Sequence, residues 1–151
     1  MSVTSIAESL YPIAPLWRRL AAMVYDGLLL IALWFLLAAA YLALFQFFTK
    51  GTPKDPLFLQ LTLFPLELFA TFCFFDYFWR TKGQTLGMLA WKLKLVNSDE
   101  GALSRKTTLK RWAVSLISLS CGGLGYWSAI WQAEKLSWHD RVSSTKIVHR
   151  K

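Results

Sequence analysis

The sequence predicts an all-α integral membrane protein. Two transmembrane helices form an antiparallel hairpin, and a third, glycine-broken helical segment follows, spanning or re-entrant. A short amphipathic β-hairpin-like insertion lies on the cytoplasmic side. Three observations predict this class. Hydrophobic residues make up 55% of the chain and charged residues only 17%. Residues 20–48 form an apolar run of 29 residues with one charged side chain, Asp26. As a helix at about 1.5 Å per residue it would reach roughly 43 Å, whereas a bilayer core needs only about 20 residues. Residues 57–79 form a second run of 23 residues, interrupted by Pro65, Glu67 and Asp76.

The elements follow in order within a single membrane domain of residues 1–151. Residues 1–19 are a cytoplasmic leader ending in Arg18 and Arg19. Ala38, Ala39 and Ala40 could suit a signal-peptide cleavage site. The apolar run continues past them, however, so a retained anchor fits better than a cleaved leader. Between the first two spans, the stretch Thr49-Lys50-Gly51-Thr52-Pro53-Lys54-Asp55-Pro56 reads as a tight Gly/Pro turn joining antiparallel helices. Residues 112–132 form the third apolar segment, with Gly122, Gly123 and Gly125 at its middle. Each glycine weakens a helix by roughly 1 kcal/mol relative to alanine.

Charge orients these spans. Residues 80–111 carry eight Lys/Arg against Asp99 and Glu100. The first loop offers only Lys50 and Lys54. The positive-inside rule therefore places the N-terminus and this basic segment in the cytoplasm. The tail, residues 133–151, is also basic, and three full crossings would export it. A break at the glycine cluster, with the third segment entering and leaving on one face, resolves that conflict; an ordinary third span with exported charge is the alternative.

Within the basic segment, Trp91-Lys92-Leu93-Lys94-Leu95 alternates apolar and basic residues, which predicts a strand. Asn97 to Gly101 reads as a turn and Ala102-Leu103 as the start of a return strand. Ser104 is placed to cap a basic helix over residues 105–111. Lysines beside anionic headgroups are each worth about 1 kcal/mol, so this segment is expected on the cytoplasmic leaflet. That surface absorbs much of the net charge of +8. No nucleic-acid motif accompanies it.

Several chemistries find no support. Cys73 and Cys121 both fall in apolar segments, which argues against a disulfide framework or cysteine metal site. His139 and His149 lack partners at metal-ligand spacing. No nucleophile–base pair or phosphate-cradling loop is visible, and His139-Asp140 is weak as a catalytic pair because adjacent residues rarely face each other. Neither an enzyme nor a cofactor is expected.

The chain resembles the RDD family of small bacterial membrane proteins, named for one arginine and two aspartates. Trp17-Arg18-Arg19-Leu20-Ala21-Ala22-Met23-Val24-Tyr25-Asp26 is similar to the segment bearing the first two, at Arg19 and Asp26. Trp138-His139-Asp140-Arg141-Val142-Ser143-Ser144-Thr145 is similar to the segment bearing the third, at Asp140. Gly83-Gln84-Thr85-Leu86-Gly87 resembles the family's Gly/Thr segment, Leu95-Val96 with Gly101 its polar hairpin, and Arg111 a further arginine often present. Met88 stands where a lysine is common and Ser144 where a glycine is common. The resemblance implies a bacterial inner-membrane location. Transport is only a suggestion attached to the family.

The charges can be placed relative to one another. Residues seven apart on a helix differ by about 20° in direction, so Arg19 and Asp26 share a face, Asp26 about 10 Å deeper. They are expected to form a polar column rather than a direct pair. Asp76 lies near the cytoplasmic end of the second helix, and Glu67 about 14 Å further along and on the opposite face. A carboxylate at membrane depth costs on the order of 2.5–3.5 kcal/mol unless paired or solvated.

Two functions are weighed. In the first, a small transporter, possible as a cation/proton exchanger, uses Arg19, Asp26 and Asp140 as its site, supported by Arg111, Glu67 and Asp76. Two or three spans cannot enclose a polar path, so a homo-oligomer is required. In the second, the protein is a non-catalytic scaffold that binds anionic headgroups or a partner, and Asp26 is a buried packing partner of Arg19 or Arg111.

Overall fold

The computed structural model describes residues 12–98, 101–125 and 136–149. Most of the leader, the part of the third apolar segment beyond the glycine cluster and the end of the tail lie outside the described residues. So does the choice between a spanning and a re-entrant third segment.

Helix α1, Leu16–Thr49, is 34 residues long and starts directly after Pro15, whose carbonyl accepts from the N–H groups of Arg18 and Arg19. The first turn therefore includes Leu16 to Arg19, ahead of the apolar run that begins at residue 20. The helix stops where Lys50 adopts a left-handed φ of 51°. Helix α2, Pro56–Lys82, has 27 residues. Asp55 caps it by accepting from the Leu57 N–H at 2.9 Å, and Pro56 occupies the position where a missing N–H costs least. Pro65 lies inside this helix without ending it. Gly83, at φ 66°, then turns the chain out.

The chain divides into two compact units. One is Gly27–Phe74. Here the two helices run antiparallel: Trp34 Nε1 donates to Thr71 Oγ1 at 2.9 Å, Tyr41 and Thr62 share a 2.8 Å hydrogen bond, and the rings of Phe45 and Phe58 lie 5.9 Å apart. Positions climb on α1 as they descend on α2, which is the signature of an antiparallel pair. The outer surface is apolar and bare. Phe35, Phe47, Phe48 and Phe69 are each at least 65% exposed. Such a surface is unfavourable in water at about 25 cal/mol per Å², but suits hydrocarbon. Both helices are long and apolar enough to cross a membrane.

The other unit is Met1–Asp26 with Phe75–Lys151. It contains α3 (Leu86–Ala90), β1 (Leu93–Asn97), α4 (Arg105–Ser120), α5 (Trp138–Val142) and β2 (Thr145–His149). Its core gathers Ala14, Ala22, Trp79, Met88, Leu93, Leu95 and Ile147. The predicted strand is present, but its partner differs from the expected one. β1 pairs antiparallel with β2, from Leu93 opposite His149 to Asn97 opposite Thr145, and Ile13 bridges to Val148 on the other edge. The local hairpin is therefore a correction. Ser104 caps α4 immediately after Leu103, leaving no room for a return strand, and the Ser98 N–H bonds to the Ser144 carbonyl instead.

The Ser104 cap itself is as expected, with its hydroxyl accepting from the Thr107 N–H at 3.2 Å. Helix α4 fuses the basic helix with the first part of the third apolar segment. It ends at Ser120, and Gly122 and Gly123 follow at φ 69° and 78°.

Candidate functional site

Two buried polar clusters organise the second unit. The first surrounds Asp26 on α1. Its Oδ1 accepts from the Gly87 N–H at 2.8 Å and its Oδ2 from the Thr85 hydroxyl at 2.5 Å. Thr85 is the N-cap of α3 and also accepts from the Met88 N–H at 3.2 Å. Asp26 and Thr85 together thus satisfy N–H groups that the start of a helix leaves orphaned. Glycine is required at position 87, because a Cβ there would lie 2.2 Å from the Ala22 carbonyl oxygen.

The second cluster centres on Asp140 in α5. Arg19 Nη1 donates to its Oδ2 at 2.9 Å and Arg111 Nη1 to its Oδ1 at 2.6 Å. The Ser137 N–H also bonds to Oδ2 at 3.1 Å. Arg19 further donates to the Ala14 carbonyl, and Arg111 to the Thr145 hydroxyl at 2.7 Å. All three charged side chains are buried, at 4% exposure or less. Isolated buried charges are expensive, and here a shared carboxylate with several donors offsets that cost. Two arginines on one aspartate leave an excess positive charge. The Trp79 ring, 5.5 Å from the Arg111 guanidinium carbon, meets part of it.

Electrostatics follow from this crowding. Burial alone would raise the Asp140 carboxyl, but its neighbours, Arg111 foremost, outweigh it and hold the group at about 2. Burial, reinforced by Arg111, pushes His139 down to about 3, so its imidazole is neutral at physiological pH. Its Nε2 lies 3.7 Å from Asp140 Oδ1, closer than neighbours in sequence were expected to come.

The remaining predicted residues lie apart from these clusters. Asp76 pairs with Arg80 at 3.3 Å and Arg105 at 3.5 Å, and accepts from the Thr108 hydroxyl at 2.5 Å. Glu67 is half-buried and enters no ion pair among the described residues. Arg19 and Asp26 are both buried, as their shared face requires, yet they serve different clusters. Asp26 as a packing partner of Arg19 or Arg111 is therefore corrected: its partners are Thr85 and Gly87. Thr85, Thr108, Ser137 and Thr145 were not singled out from sequence. Only the Gly/Thr segment hinted at Thr85.

Bare apolar helices, joined to a unit with buried ion clusters, define a helical membrane protein. The RDD family's sequence profile matches residues 13–144, so the chain belongs to the RDD family. No curated protein and no solved structure matches the chain.

Proposed function

We propose that the chain is a multi-pass protein of the bacterial inner membrane, with a cytoplasmic N-terminus, acting as a non-enzymatic structural and binding module. One observation carries this reading. The namesake charges are each committed to partners within one compact unit, Arg19 on Asp140 and Asp26 on Thr85 and Gly87. Groups bound in this way fix backbone segments to one another and leave little freedom for turnover. The hairpin anchors the unit, whose basic surface faces anionic headgroups.

A second reading, cation/proton exchange by a homo-oligomer, is favoured by one feature. Asp26 is buried, and its described contacts are a hydroxyl and an amide, with no cation. A membrane carboxyl without a fixed counter-charge is suited to taking up a proton or a metal cation. Glu67 is a separate candidate for the same task.

Proteoliposomes distinguish the two. The native chain and Asp26→Asn are incorporated at matched density, and gradient-driven pH change is recorded beside the yield of monodisperse protein. The module reading expects no flux from the native chain and a reduced yield of the variant. Native flux that vanishes in a well-folded variant would overturn it in favour of exchange.

A further inference from the structure

We infer that a pocket beside Trp91 binds the phosphate group of one anionic lipid. The pocket, about 260 Å³ in volume, is lined by Arg18, Ala90, Trp91, Lys92 and His149. These residues come from three distant stretches: the first turn of α1, the junction of α3 with β1, and the end of β2. The sheet register brings them together by setting Leu93 opposite His149. Arg18 Nη1 contacts His149 Nε2 directly.

Charge is the first argument. Neither Arg18 nor Lys92 pairs with a carboxylate among the described residues. Two cations therefore converge on an open pocket with no carboxylate paired to them among the described residues, whereas the buried Arg19 and Arg111 are both matched to Asp140. A phosphate oxygen pair suits the planar Arg18 fork, and Lys92 adds a compact point charge. Lys92 also holds a left-handed φ of 54°, where glycine would be the easier residue. Desolvation and the two nearby cations, Arg18 and Lys92, shift His149 down from the ordinary imidazole value.

The aromatic wall decides between a lipid and a free anion. Trp17 meets Trp91 edge-on with ring centres 5.5 Å apart, and Tyr25 approaches Trp91 at 6.3 Å. Arg18 lies over the Trp17 ring at 5.1 Å. Trp and Tyr at the start of a spanning helix mark the headgroup boundary, where their rings meet glycerol and the upper acyl carbons. A free phosphate would use the cations and leave this wall without a role.

The inference shares with the proposed function the placement of this unit at headgroup level. Its test does not depend on orientation or flux, so failure here leaves that reading standing. Full-length protein in neutral detergent is titrated with phosphatidylglycerol and bound lipid is counted by native mass spectrometry. Arg18→Gln/Lys92→Gln should weaken the first bound lipid at least about tenfold, given about 1 kcal/mol per basic residue. Lys106→Gln/Lys110→Gln, equal in charge removed, should leave it nearly unchanged. Should the first double variant fail to fold, Lys92→Gln alone is expected to weaken binding about fivefold. Equal losses from both double variants would show diffuse surface attraction and overturn the site. Displacement of the lipid by millimolar inorganic phosphate would overturn the lipid assignment.

Discussion

The backbone N–H of Gly87 donates to Asp26 Oδ1 at 2.8 Å, joining positions 61 apart in sequence. The contact requires a close approach of α3 to α1, closer than any side chain at position 87 allows. Gly87→Ala would place a Cβ 2.9 Å from the Asp26 carboxyl carbon and nearer still to the Ala22 carbonyl. Overpacking of this kind costs about 1–3 kcal/mol. We expect a clear drop in thermal midpoint in detergent; an unchanged midpoint would refute the tight contact.

The Asp140 cluster makes an ordered prediction. Asp140→Asn strands two buried arginines, a loss of about 3–5 kcal/mol. Arg19→Gln leaves Asp140 with Arg111 and removes the excess positive charge, so it should cost less. Denaturation of both variants by a graded detergent series tests the order. If Arg19→Gln proves the more damaging, the charge balance described for the cluster is wrong.

Acid should destabilise the second unit before Asp140 protonates. His139 takes up its proton near 6.5 in the unfolded chain and near 3 in the fold. Between those values the unfolded chain binds more protons, so stability is full above about pH 6.5 and falls as pH decreases, by up to about 1.4 kcal/mol per unit. Asp140, lowered from 3.8 to about 2, adds a loss of the same sign below about pH 4. Thermal midpoints between pH 7.5 and 4.5 should decline, and His139→Gln should flatten the decline.

Ser144 follows α5 with φ 49° and is exposed. This is the left-handed position at which helices commonly end in glycine. Relief of the Cβ crowding, about 1–2 kcal/mol, exceeds the added chain entropy of glycine, about 0.5–1 kcal/mol. Ser144→Gly should therefore stabilise the unit by up to about 1 kcal/mol, while Ser144→Val should weaken it. Chemical denaturation of the pair reads both signs.

What the sequence made legible was the part of the fold written by the solvent. Residues facing lipid must be apolar for some 20 positions, so α1 and α2 announce themselves. The Ser104 cap is equally local. Long-range pairings leave no such trace. Nothing periodic links Leu93 to His149 or Arg19 to Asp140, and the first apolar residues after β1, Ala102 and Leu103, invited a hairpin that the Ser104 cap forbids. The shared face of Arg19 and Asp26 was readable from helical geometry, but their separate partners were not. The role of Thr85 was not readable, because the short polar stretch Gly83-Gln84-Thr85 resembles any turn.

Arg19 and Asp140 are 121 positions apart, and the link between them has a consequence for biosynthesis. At about 5–20 residues per second, the ribosome reaches the aspartate roughly 6–24 s after the arginine. Throughout that interval Arg19 lacks its Asp140 partner, while the two long apolar helices are being synthesised. The fastening of Arg19 to Asp140 thus forms only after both long apolar helices have been synthesised, so the contact that ties the chain's ends together is among the last to become available.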